Sequence, residues 1–79
     1  VNGEYEQAIA DYTKAMEINP REPRLYLTRG KSYLANGEID CAQADFRQLL
    51  VVTDRPYLRQ QAEDLLESLK RENGNQSAL

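Results

Sequence analysis

Histidine is missing from this 79-residue chain, and cysteine appears once, at Cys41. Without histidine no Cys/His zinc site can be completed, and the commonest general base is unavailable to any nucleophile. A single thiol closes no disulfide within the chain, so a domain this small must stand on regular packing or on partners, and a reducing, cytoplasmic setting is the expectation. No apolar run approaches the roughly 20 residues that a bilayer crossing needs, and no charged-then-apolar targeting segment opens the sequence. Positive charge is no majority either: ten lysines and arginines against thirteen acids leave a formal charge of −3, which argues against the basic stripe that phosphate binding demands. The expectation is therefore no metal, no cofactor, no nucleic acid and no membrane partner. The chain opens at Val1, inside what proves to be a motif, and reads as a piece of something longer.

What is present is helical periodicity. Over residues 4 to 18, Tyr5, Ala8, Ile9, Tyr12, Ala15 and Met16 fall at three-and-four spacing, and Asn19-Pro20 ends the run. Pro23 suits the first turn of a second helix reaching about Ala35, where Asn36-Gly37 offers a left-handed terminator. Ile39, Ala42, Phe46, Leu49 and Leu50 mark a third helix, and Asp54-Arg55-Pro56 repeats the punctuation. A fourth sets Leu58, Ala62, Leu65, Leu66 and Leu69 against Gln60, Glu63, Asp64, Glu67 and Arg71, and residues 73–79 read as a flexible tail. Charge divides unevenly: the first helix carries Glu4, Glu6, Asp11 and Glu17 against Lys14, whereas the second carries Arg24, Arg29 and Lys31 and no acid.

The first and third helices say nearly the same thing. Asn2, Gly3, Glu4, Ala8, Ala10, Asp11 and Tyr12 recur as Asn36, Gly37, Glu38, Ala42, Ala44, Asp45 and Phe46 in one fixed register. Such repetition marks stacked helical hairpins, each too small to bury its own apolar face. Gly30 inside a helix costs about 1 kcal/mol against alanine, so it predicts a close helix approach, and Tyr12 and Phe46 are expected to fill the space that Ala8, Ala42 and Gly30 leave.

In this pattern the chain resembles the tetratricopeptide repeat family. Tyr26 stands where the family favours tryptophan, Gly30 and Tyr33 follow, then Ala42 and Phe46 in the partner helix; the preceding half unit supplies Ala8, Tyr12, Ala15 and Pro20. The resemblance implies an all-α fold of antiparallel hairpins stacked as a right-handed solenoid of about four helices: a second helix of a partial repeat at 1–22, a complete repeat at 23–55 and a capping helix at 56–72. Two residues depart from the pattern. Asp54 replaces a terminal proline, and Arg29 replaces a buried leucine, either loosening the hairpin packing or running its stem along the core with its charge at the rim.

The resemblance also implies a function, binding of a peptide or protein partner on the inner face lined by first helices. Arg24, Leu27, Thr28, Lys31 and Ala35 form the corresponding stripe, opposite Tyr26, Gly30 and Tyr33. Some relatives grip a free carboxylate with lysine, asparagine and arginine; here Thr28 takes the asparagine's place, and Leu58 and Ala62 are expected where capping-helix cations would stand. The rival reading is a structural C-terminal cap or self-association unit without a peptide ligand. A homodimer through Tyr5, Ala8, Ile9, Tyr12 and Met16 follows from the first helix's unpaired face. Catalysis has little to build on, since Glu63 and Asp64 read as a solvated face and Cys41 as a small, partly buried thiol. Asn75-Gln76-Ser77 and the final Ser77-Ala78-Leu79 match sorting or glycosylation patterns too weakly to use.

Overall fold

The computed structural model describes the backbone of residues 2–77 and the side chains of residues 3–71. Helices account for nearly all of it: α1 spans Asn2–Ile18, α2 Pro23–Ala35, α3 Ile39–Val52 and α4 Pro56–Ser77, with no strand among the described residues. Each boundary has a local cause. Pro20 ends α1; Glu22 then turns extended and its carboxylate accepts the Arg24 N–H at 3.3 Å, with Pro23 at the first helical position. At the end of α2, Gly37 adopts φ +84°, its N–H donating to the Leu34 carbonyl at 3.1 Å and the Glu38 N–H to the Tyr33 carbonyl at 2.8 Å, a Schellman closure that a side chain at residue 37 would strain. Beyond α3, the Thr53 hydroxyl accepts the Arg55 N–H at 3.1 Å, and the Arg59 guanidinium donates to the Leu50 carbonyl at 2.8 Å, closing the orphaned end of α3. No proline interrupts α4 after Pro56, and it continues through Asn73 and Gly74 to Ser77; residues 78 and 79, the rest of the expected tail, lie outside the described residues.

The helices pack in sequence. α2 lies between α1 and α3, α3 between α2 and α4, and α4 also grazes α2, whereas α1 rests on α2 alone. The layer measures 44 × 33 × 15 Å, little thicker than one helix with its side chains, so every helix keeps a solvent face. The core therefore concentrates on α3. Ala42, Phe46 and Leu49 are fully buried, Leu58, Ala62 and Leu69 of α4 close over them, and Leu27, Tyr33, Leu34, Ile39, Leu65 and Leu66 pack around Ala42, Phe46 and Leu69. Gly30 is the close approach its sequence position implies: a Cβ built there would stand 2.5 Å from Phe46 Cε1. Ala8 and Tyr12, expected in an equivalent core, are only half-buried, because nothing but α2 covers α1. Cys41 also differs from expectation. It is exposed, one residue before the buried Ala42 and so just outside the face that α3 turns inward.

Candidate functional site

The stripe on α2 divides by burial. Arg24, Lys31 and Ala35 are exposed, and neither cation makes an ion pair among the described residues. Thr28 is half-buried, its hydroxyl donating back to the Arg24 carbonyl at 2.7 Å, and Leu27 leans on the core beside Ala42, Phe46 and Leu69. Leu27 thus supports the stripe more than it displays it.

The structure corrects one expectation about α4. α1 and α3 repeat at 34 residues, but α2 and α4 both open on a proline, Pro23 and Pro56, 33 residues apart, because the α3–α4 connection is one residue shorter. With that spacing exposed Arg24, Lys31 and Ala35 correspond to exposed Tyr57, Asp64 and Ser68, and half-buried Thr28 to half-buried Gln61, whereas half-buried Leu27 falls on exposed Gln60 and buried Gly30 on exposed Glu63. Leu58 and Ala62, expected at the stripe positions, instead face α3 with 4% and 0% exposure. The matching positions of α4 are Tyr57, Gln61, Asp64 and Ser68, with Tyr57 72% exposed and Asp64 accepting the Gln60 amide at 2.9 Å. The 33-residue interval between the prolines was the signal for these positions.

Arg29 belongs to a different constellation. Its Nε and Nη2 donate to Asp45 Oδ2 and Oδ1 at 2.8 and 2.6 Å, and Nη1 donates to the Thr13 hydroxyl at 3.2 Å. Asp45 is almost wholly buried, and the guanidinium carbon sits 5.5 Å from the centre of the Tyr33 ring. The stem follows the core as one reading of the sequence had it, yet the charge ends on a carboxylate rather than at the rim. Asp45's hydrogen bond raises the Arg29 pKa against the opposing desolvation, so the guanidinium stays charged at every ordinary pH. Burial likewise pushes the Tyr33 phenol up, partly offset by the Arg29 charge. One ion pair joins α2 to α3 and, through Thr13, to α1. The sequence signal was an acid set among Ala42, Phe46 and Leu49, where it needs a buried partner.

The face assigned to self-association is graded. Tyr5 is 37% exposed, Ala8, Ile9 and Tyr12 are half-buried, and Met16 is buried at 8%. Met16 therefore belongs to the α1–α2 contact.

No described helix is long and apolar enough to cross a membrane. No curated protein and no solved structure matches the chain. A family model described as TPR repeat matches residues 2–37, which take in α1 and α2 with the Gly37 terminator. Four helices in hairpin order and a 34-residue repeat make a fold like that of tetratricopeptide repeat proteins, and the matched stretch is similar to repeats that generally serve as protein–protein interaction modules.

Proposed function

We propose that this chain is an interaction module that receives an extended peptide or protein segment across Arg24, Thr28, Lys31 and Ala35 of α2 and Tyr57, Gln61, Asp64 and Ser68 of α4. The observation that carries the reading is the recurrence, on α2 and α4, of exposed positions at the spacing of their opening prolines. Two unpaired cations on α2 favour an acidic segment. An exposed tyrosine on α4 offers an anchor of the kind that dominates small interfaces. The mixed signs, with Asp64 at the α4 position that corresponds to Lys31, favour a partner that is acidic at one end rather than throughout.

Selection of peptides from a random display library tests it. Recovered sequences should place an aspartate or glutamate beside an apolar residue, and Arg24→Glu with Lys31→Glu should weaken their binding about tenfold or more. Tyr57→Ala should weaken it without changing the preference for acid. Peptides that bind the charge-reversed chain as well as the parent would reduce the stripe to a solvated face and leave the chain as a structural cap.

A further inference from the structure

A cleft of about 460 Å³ opens between the α1–α2 turn and the end of α3, lined by Pro20, Arg21, Tyr26, Gln48, Val51 and Val52. Its walls are held from inside the fold. The Tyr26 hydroxyl donates to the Pro20 carbonyl at 2.9 Å, which ties the turn to α2, and the Glu22 N–H donates to the Asn19 carbonyl at 3.1 Å within the turn. α2 and α3 each have a helix on both sides, so neither wall is an outer flank of the layer. With its hydroxyl engaged, Tyr26 offers its ring, beside Pro20, Val52 and the 74% exposed Val51; Ile18, 84% exposed, lies two residues before Pro20. Apolar side chains left open around a cleft mark a contact surface as scattered ones do not.

Charge at the cleft has one sign. Arg21 lines it and Arg47 stands one turn before Val51 on α3; both are exposed, and neither makes an ion pair among the described residues. No acid is among the lining residues, and the Glu22 carboxylate, next to Arg21, is turned to the Arg24 N–H. We propose that this cleft is a second docking site, separate from the α2–α4 surface, for an extended segment of a partner protein in which a bulky apolar residue is flanked by carboxylates. The apolar side chain would lie on the Tyr26 ring between Pro20 and Val51, and the carboxylates would meet Arg21 and Arg47. Gln48 to Val52 cover roughly 6 Å of helix axis, short of the roughly 10 Å that the i to i+7 anchors of a docked helix occupy, so the occupant is extended. A second copy of the chain is disfavoured, because a two-fold axis through the cleft would set Arg21 and Arg47 against the same two cations.

The probe is a blocked synthetic peptide with one phenylalanine in a run of aspartates, titrated into the isotope-labelled full chain and followed by NMR. Shift changes should gather on Arg21, Tyr26, Gln48, Val51 and Val52. Replacing the phenylalanine by alanine, or the aspartates by lysines, should each weaken binding about tenfold or more, as should Val51→Asp in the chain. Arg21→Glu with Arg47→Glu should reverse the preference and favour the lysine peptide, an outcome that mere loss of structure cannot produce. Arg24→Glu with Lys31→Glu should leave the affinity unchanged, which separates this site from the α2–α4 surface. The proposal is overturned by absence of saturable shifts at about millimolar peptide, by equal affinity for the alanine peptide, or by shift changes on Arg24, Lys31 and Tyr57 instead. Shifts of the cleft residues on concentrating the chain alone would equally overturn it, since a second copy would then be the occupant.

Discussion

α1 and α3 carry the same residues at Ala8/Ala42, Asp11/Asp45 and, within one hydroxyl, Tyr12/Phe46, yet only the α3 set is buried. The difference lies in their neighbours. α3 has a helix on each side, α2 and α4, whereas α1 has α2 alone. A repeat motif is a potential contact, and its free energy is realised only when the complementary helix is present. Substituting both members of each pair measures how much of the motif is realised at each site.

The aromatic pair should separate most. Phe46 is fully buried against Gly30, so Phe46→Ala should cost about 3 to 5 kcal/mol, comparable to the whole stability of a small domain. Tyr12→Ala, at a half-buried site, should cost about 1 to 2 kcal/mol. Urea unfolding followed by circular dichroism measures both. Equal losses would mean that α1 is covered in solution by something beyond α2.

The carboxylate pair comes next. Asp45→Ala strands the Arg29 guanidinium, 19% exposed, beside Tyr33 and should cost about 3 kcal/mol, the lower end for breaking a buried pair. Asp11→Ala should change stability by no more than about 0.5 kcal/mol, as surface substitutions do. Replacing both charges, Arg29→Leu with Asp45→Leu, should return most of the loss, because a packed apolar pair often equals a buried ion pair. If the double variant stays as unstable as Asp45→Ala, then the Thr13 hydroxyl and the Tyr33 ring contribute more than the charges do.

Helix positions and terminators could be read from the sequence because each depends on local spacing: Pro20, Pro23, Gly37 and Pro56 act on their own turns. The Arg29–Asp45 pair could not be read the same way. Its partners are 16 residues apart, and which acid meets the arginine depends on how two helices are rotated against each other. The basic segment therefore looked richer than it is, since one of its three cations is spent inside. The α4 positions escaped for a smaller reason: a connection shorter by one residue moves every facing position by about a quarter turn, which places Leu58 and Ala62 in the core and Tyr57 in solvent.

The glycines make the smallest and sharpest test. Gly30→Ala gains about 1 kcal/mol of helix propensity but sets a methyl 2.5 Å from one Phe46 ring carbon and 2.9 Å from the next. A ring edge held between helices yields less readily than the end of a flexible chain. The overpacking cost of about 1 to 3 kcal/mol should therefore outweigh the gain and leave a net loss of about 1 kcal/mol. Gly3→Ala, in the first turn of α1 with nothing within 4 Å, should be neutral or stabilising by about 0.5 kcal/mol. Combining Gly30→Ala with Phe46→Leu isolates the contact. If the clash is the cause, the double variant will be more stable than the sum of the singles allows. If Gly30→Ala alone matches the parent chain in urea, the ring has room to move, and Gly30 is there for some reason other than the approach of α2 to α3.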